Sequence, residues 1–459
     1  MNKTSFLLAA LAFASVLVWS CNKPEPEPEP KTEDPKTEPV ELADLKLSVP
    51  VTEDWIFTDK PAITIHVENP NAVAVEAKAT VKFSTDLKEA KETVTQTVEV
   101  PAKGKIDIPI TTEENMAPGF YRAACFVNGK TARIFYFGIN PTKIVSAPDK
   151  QADFDKFWED AKAQLYKIEM KENLIEIPAK SSEKCKVYFV EFQSVPDGQE
   201  GDPVVVRGYY LEPQDGNPHP VIMHFMGYDT MGTTVSCPSA NSGNYAEFYL
   251  SHRGQYINRA PANLRKDGID QDFTNIYDDW FAFNFGKKDG YYYRGAFMDC
   301  VQAIRFMATR ATSDMKNLFA EGSSQGGALT YAAAALSDYE FAAIAPCVAF
   351  LGDYPDYFKI VSWPGDTAKS AAKKAGITTE EMYTFLSYFD TKNLATRISC
   401  PVIACSNLQD GTCPPHTNVA PYNNLLSTEK EIYFYPLLDH VIPSNWPSKT
   451  SAFFKAHIQ

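Results

Sequence analysis

With 459 residues the chain is too long for one ordinary domain, and 44% hydrophobic against 22% charged residues supports a large core and excludes general disorder. A formal net charge of −14 excludes nucleic acid as a partner, because phosphate binding needs a basic surface. The same charge disfavours adhesion to anionic lipid headgroups.

Residues 1–20 read as a signal peptide. Lys3 opens it, and the apolar and small run from Phe6 to Val18 is too short to span a bilayer as a helix. The run ends in Val18-Trp19-Ser20-Cys21, which resembles a bacterial lipobox. Cys21 is therefore expected to be lipidated, making the chain a secreted bacterial lipoprotein of the outer membrane that touches the membrane only through this N-terminal anchor. Residues 21–42 are rich in Pro and Glu, with no aliphatic or aromatic residue between Cys21 and Val40. Proline fixes φ and the acidic side chains repel, so this stretch should be an extended tether reaching about 60 Å.

Residues 43–140 read as strands alone. Runs at 45–49, 62–68, 73–84, 93–100, 105–109, 120–128 and 131–137 are short and β-branched. Turns such as Glu68-Asn69-Pro70-Asn71 and Asn128-Gly129-Lys130 separate them. This spacing predicts a small all-β, immunoglobulin-like sandwich, read as a spacer or packing module.

The texture changes over residues 141–149. An amphipathic helix opens at Asp153-Phe154-Asp155-Lys156-Phe157-Trp158, and strands then alternate with helices to residue 459. Strands are predicted at 187–192, 204–211, 220–225, 246–251, 318–321, 341–348, 401–407 and 431–437. Helices are predicted at 294–311, 326–336, 415–426 and 448–457. This rhythm implies an α/β domain with a doubly wound, mostly parallel sheet. Of the nine cysteines, those beyond Cys21 sit in or beside apolar runs and read as buried thiols. Cys400 and Cys405, an odd number apart on one predicted strand, should face opposite sides of it. No Cys/His spacing suggests a metal site.

Gly322-Ser323-Ser324-Gln325-Gly326 is a G-x-S-x-G motif between a predicted strand and a predicted helix, the context of a nucleophile elbow. A serine hydroxyl needs a base to take its proton and a third group to orient that base. Beyond Ser324 the histidines are His416, His440 and His457. His440 lies just past a strand, where a loop can carry it over the sheet edge, whereas His416 opens a helix beside the acid. Asp410 follows the preceding strand. Asp439 competes with it but adjoins His440 and cannot easily reach that ring. The triad read from the chain is Ser324, Asp410 and His440. The oxyanion requires two N–H donors, assigned to the backbone of Gln325 and of Tyr228, which follows Phe225-Met226-Gly227. The Tyr228 ring is expected to wall the acyl pocket.

Residues from about 150 onward resemble the acetyl xylan esterase/cephalosporin-C deacetylase family of carbohydrate esterases, an α/β-hydrolase family. The matching segments are Asp153 to Trp158, Gly227-Tyr228, Arg253-Gly254-Gln255, Tyr291-Tyr292-Tyr293-Arg294-Gly295 and Gly322 to Gly327. Tyr388-Phe389-Asp390, Asn393-Leu394-Ala395 and Asp410 to Pro415 complete the set. The resemblance puts Ser324, Asp410 and His440 on the family triad, Tyr228 and Gln325 on its oxyanion hole, and Arg253, Gly254 and Gln255 on a structural signature. The chain departs from the pattern at Met226, Ser251, Tyr256, His416 and Val441. The insert between Tyr256 and Gly290, where the family builds subunit contacts, also differs, so no oligomeric state is assigned.

The resulting expectation is a cofactor-free and metal-free serine esterase acting on an acetylated oligosaccharide or another small acetyl ester. Two rivals are a prolyl-oligopeptidase-like peptidase and a non-catalytic glycan-binding surface lipoprotein. The first lacks a recognisable site for a peptide N-terminus. The second conflicts with the intact order of Ser324, Asp410 and His440.

Overall fold

Strict alternation of buried and half-exposed side chains builds the N-terminal half. In β3 (Ile63–Glu68), Ile63, Ile65 and Val67 point inward while Thr64, His66 and Glu68 point out, the period-2 pattern of a strand with one wet face. The computed structural model describes residues 42–228, 235–255, 257, 277 and 279–459. The signal peptide, Cys21 and nearly all of the tether lie outside these residues, as does most of the insert after Gln255. Asp44–Gln459 forms one unit.

The other strands of this half are β1 (Lys46–Ser48), β2 (Ile56–Phe57), β4 (Val75–Thr85), β5 (Ala90–Val100), β6 (Lys105–Ile110), β7 (Gly119–Val127) and β8 (Lys130–Ile139). They form a three-stranded sheet ordered β1-β3-β6 and a five-stranded sheet ordered β2-β8-β7-β4-β5. Ala77, Ala79, Val81 and Phe83 on β4 join Ile63, Ile65, Val67 and Phe137 in one shared core. Trp55 closes it, stacked on Phe135 with ring centroids 3.9 Å apart.

The C-terminal half is a nine-stranded sheet. Its strands are β9 (Asn173–Glu176), β10 (Cys185–Ser194), β11 (Val204–Pro213), β12 (His219–Phe225), β13 (Ala246–Ser251), β14 (Ser313–Ser323), β15 (Ala343–Cys347), β16 (Val402–Asn407) and β17 (Lys430–Tyr435). The order is β17-β16-β15-β14-β12-β13-β11-β10-β9. Pairings from β13 across to β17 are parallel, and β9, β10 and β11 form an antiparallel flank. The helices are α1 (Phe154–Tyr166), α2 (Tyr292–Ala308), α3 (Gln325–Leu336), α4 (Tyr354–Ile360), α5 (Gly365–Ala375), α6 (Thr379–Leu386), α7 (Thr391–Leu394), α8 (Pro415–Asn423) and α9 (Trp446–Ala456). This is the α/β-hydrolase architecture, preceded by the all-β unit.

The predicted strands match observed ones to within a few residues at most ends, but β2, β9 and α4 to α7 were not anticipated. Of these, α4, α6 and α7 have eight residues or fewer, too short for a legible period, whereas α5 has eleven and was long enough to read. Cys400 precedes β16 rather than lying on it, so the expected opposition to Cys405 does not apply. The described cysteines are free thiols, buried except for the half-buried Cys400.

The two halves meet where the hydrolase sheet ends. Leu408, just past β16, and Val419 of α8 are buried within the sandwich core. Phe120 of β7 packs on Phe434 of β17 with centroids 6.2 Å apart. The Asn423 amide donates to the Pro141 and Ile144 carbonyls at 3.1 and 2.8 Å.

Candidate active site

The site begins at a strained turn. Ser324 joins β14 to α3 with φ 57° and ψ −122°, in the region of positive φ that costs most residues energy. Neighbouring backbone over-determines it. Its N–H donates to the Cys347 carbonyl at 3.0 Å, and its carbonyl accepts from Phe350 at 3.0 Å and Ala328 at 3.2 Å. Glycine is required on both sides: a Cβ on Gly326 would stand 2.1 Å from the Phe225 carbonyl oxygen, and one on Gly322 2.3 Å from that of Gly326.

Two loops at the C-terminal ends of β16 and β17 bring the partners. Asp410 is buried, and its Oδ1 accepts the N–H groups of Thr412 at 2.8 Å and Cys413 at 2.7 Å. Its Oδ2 lies 2.7 Å from His440 Nδ1, and His440 Nε2 lies 2.9 Å from Ser324 Oγ. Asn407 holds the His440 loop on both sides, donating from Nδ2 to the Asp439 carbonyl at 2.6 Å and the Val441 carbonyl at 2.7 Å. Thus Asp410, not Asp439, reaches the imidazole. His457 lies on the Phe453 carbonyl and Glu429, and His416 is engaged elsewhere.

The opposite wall is the loop after β12. A Cβ on Gly227 would make ordinary van der Waals contact with Ser324 Cβ at 3.9 Å, so this loop lies beside Ser324. The R-G-Q signature supports this loop. Gln255 Nε2 donates to the Gly227 carbonyl at 3.2 Å. Arg253 anchors Gln255's segment, with Nε and Nη2 on Asp299 at 2.9 and 2.7 Å, and Nη1 on Asp197 at 2.8 Å. The guanidinium lies so close to Gly295 that a Cβ there would be 2.0 Å from it.

The Gln325 side chain is clamped as well. The Tyr293 hydroxyl donates to its Oε1 at 2.8 Å, and its Nε2 lies 2.7 Å from His252 Nε2. Burial holds the His252 pKa down to about 4, so the ring is neutral and Nε2 accepts. The clamp orients the residue whose backbone N–H was assigned to the oxyanion. Sequence reasoning gave no role to His252, Tyr293 or Asn407, although Tyr293 lies in the family-like segment Tyr291 to Gly295 and His252 directly precedes Arg253.

Aromatic rings gather around Tyr228. The Tyr228 ring meets Trp280 at 4.9 Å, Trp363 at 5.4 Å and Phe350 at 6.4 Å between centroids. Its hydroxyl donates to Asp279 at 3.3 Å. Burial first, then the Asp279 charge, raise the Tyr228 pKa, keeping the hydroxyl protonated.

A candidate metal cluster lies next to the site. Single ligand atoms of Asp353, Asp356 and His416 fall within 4.8 Å of one another. Cations already occupy its centre: Lys392 Nζ is 2.9 Å from Asp353, and the His416 ring contacts Asp353 at 3.1 Å, Asp356 at 3.5 Å and Asp86 of the sandwich at 3.4 Å. Burial opposes charge on His416, but hydrogen bonds to Asp353 and Asp86 and their charges prevail and raise its pKa to about 10. As folded, the cluster is an ion-pair network joining the two halves.

Residues 142–458 match the acetyl xylan esterase family model. An acetyl esterase of Xylanibacter ruminicola, Axe7A, is 25% identical over 331 residues, covering 70% of this chain and 71% of its own. The structure of an acetyl xylan esterase from Paenibacillus sp. R4 is similar with a TM-score of 0.58 at 26% identity, over 69% of this chain and 98% of that one. Acetyl xylan esterase 1 of Thermoanaerobacterium sp. JW/SL YS485 shares the fold, with a TM-score of 0.56 at 22% identity over 69% of this chain and 98% of its own.

Proposed function

The chain belongs to the acetyl xylan esterase family of carboxylic ester hydrolases, and from that premise we propose that it removes acetyl groups from acetylated carbohydrates of the xylo-oligosaccharide type. The observation that carries the mechanism is the unbroken relay from Asp410 Oδ2 through His440 to Ser324 Oγ, at 2.7 and 2.9 Å. Ser324 attacks the acetyl carbonyl while His440 Nε2 takes its proton. The oxyanion forms against the backbone N–H groups of Gln325 and Tyr228. His440 then protonates the departing sugar oxygen, leaving an acetyl-serine. In the second half, His440 takes a proton from water, the hydroxide attacks the acyl carbon, and acetate leaves as Ser324 regains its proton. Asp410 holds the ring with Nδ1–H toward it and stabilises the cation in both halves.

The aromatic wall of Tyr228, Phe350 and Trp280 supports a small acyl group. A methylene that fits an apolar pocket is worth about 0.8 kcal/mol and favours butyrate, whereas one forced into packed rings costs about 1–3 kcal/mol and favours acetate. The test is kcat/KM for acetyl and butyryl esters of one leaving group. Acetate should win, and a butyrate advantage of about tenfold overturns the deacetylase reading while leaving the serine mechanism standing. Faster cleavage of dipeptidyl amides than of any ester marks a peptidase instead.

We further propose that Cys21 carries a lipid that tethers the enzyme to the outer membrane. The lipobox-like Val18-Trp19-Ser20-Cys21 and the Pro/Glu-rich stretch after it support this. Cys21→Ser should move the protein from the membrane to the soluble fraction. Wild-type protein that fractionates as soluble contradicts the anchor.

A further inference from the structure

Trp363 is 37% exposed, although its ring belongs to the aromatic set beside the nucleophile. It lies flat on Phe350, with centroids 5.3 Å apart and 4° between planes, and edge-on to Tyr228 at 5.4 Å. Phe350 is buried, and its N–H donates to the Ser324 carbonyl at 3.0 Å. Tyr228 follows Gly227, which closes on Ser324. The rings therefore step outward from the reacting serine: Phe350 and Tyr228 inside, Trp363 at solvent. Trp363 is the exposed ring of this set, the one that the alcohol half of an ester leaving on this side would meet.

We propose that Trp363 is the stacking platform for the pyranose ring that carries the acetyl group. One face of the ring is backed by Phe350, which holds the indole in place so that binding costs little side-chain freedom. A pyranose presents a face of C–H groups whose positive edges suit the negative face of an indole. Its hydroxyls point outward at the ring's edge and need polar partners.

A polar cleft joined to this aromatic wall through α5 and Asp279 supplies them. Helix α5 begins two residues after Trp363, and with residues 279–287 it borders a cleft of about 960 Å³. Asp279, Lys287, Asp366, Thr367, Ser370 and Lys374 line it, a mixture of donors and acceptors on a partly apolar floor. Asp279 also receives the Tyr228 hydroxyl, so the cleft wall and the acyl-site wall share a side chain. Such a combination of apolar surface and a few placed polar groups is how saccharide-sized ligands are fixed. The remaining sugars of the chain run toward this cleft.

The inference rests on the carbohydrate reading above, and the experiment separates the two. kcat/KM is measured on acetylated xylo-oligosaccharide and on ethyl acetate, for wild type, Trp363→Ala and Trp363→Tyr. Trp363→Ala should lower the sugar-to-ethyl-acetate ratio about tenfold, mainly through KM, and Trp363→Tyr should recover most of it. Equal losses on the two substrates, or an unchanged ratio, overturn the platform and leave a deacetylase. Wild-type enzyme that cleaves ethyl acetate but no sugar acetate overturns the carbohydrate reading and the platform with it. As a second readout that needs no turnover, xylotriose added to the Ser324→Ala protein should perturb indole absorbance. That signal should vanish in Ser324→Ala/Trp363→Tyr, and its persistence there places the sugar elsewhere.

Discussion

Gln409 and Tyr136, 273 positions apart, are joined as two neighbouring strand residues would be. The Tyr136 N–H donates to Gln409 Oε1 at 2.9 Å, and Gln409 Nε2 donates back to the Tyr136 carbonyl at 3.0 Å. The same Nε2 also donates to the Pro436 carbonyl at 2.8 Å. Tyr136 belongs to β8 of the sandwich, and Gln409 immediately precedes Asp410. The N-terminal unit thus packs on the loop that carries Asp410 to His440, in keeping with a packing module.

Removing that hold should misplace Asp410 without touching substrate. Gln409→Ala is expected to lower kcat about tenfold with KM nearly constant, because a loosely placed catalytic group weakens the transition state and not ground-state binding. Steady-state kinetics on a single acetyl ester decide it. A rise in KM with full kcat would mean that Gln409 serves binding instead.

Ser324→Ala should leave the fold intact, since alanine has no bulk to add at the turn, and reduce kcat on the order of 10⁴-fold or more. Circular dichroism reports the fold and initial rates report the loss. Residual activity above about a tenth of wild type would require another nucleophile.

Arg253 is fully buried with Asp299. Arg253→Met strands that carboxylate without a counter-charge and should cost about 3–5 kcal/mol of stability. The same change loosens Gln255 and with it the Gly227 carbonyl, so the folded fraction should also be slower. Arg253→Lys keeps the charge but loses the fork that meets Asp299 and Asp197 together, and should fall between. Denaturant melts of the three proteins measure the order. A melt for Arg253→Met within error of wild type would remove the signature's structural role.

The seam between the halves should weaken in alkali. His416 faces Asp86, Asp353 and Asp356, with Lys392 beyond. Its folded pKa of about 10 lies above the ordinary 6.5. A raised value contributes stability that is whole below pH 6.5 and is lost as pH climbs through 10. Between pH 7 and pH 10 the wild type should lose stability on the order of 3 kcal/mol more than His416→Gln, which has no such titration. Melting temperatures of the two proteins across that range test the sign. Parallel slopes would show that His416 is already neutral.

Several features were legible without a fold. Alternation at Ile63, Ile65 and Val67 marks a strand because side chains on a pleat change face at every residue. The glycines around Ser324 mark the elbow because no other residue fits there. The order Ser324, Asp410, His440 follows from strands that must each end near one sheet edge before their loops can meet. Residues 354–394 were read less well: α4, α6 and α7 are too short to show a helical period and owe their helicity to the core they cover, whereas α5, with eleven residues, was long enough and went unread.

What the sequence by itself determined is therefore which three side chains meet, Ser324, His440 and Asp410, carried by local patterns: the motif, the strand ends and the few histidines beyond it. Only the tertiary structure decided what holds that chemistry in place. Gln409 on Tyr136, Gln255 on Gly227, His252 on Gln325 and His416 on Asp86 join positions from 28 to 330 residues apart. A polar side chain's partner is set by which backbone or side-chain group the fold leaves within about 3 Å, and no spacing along the chain encodes that distance.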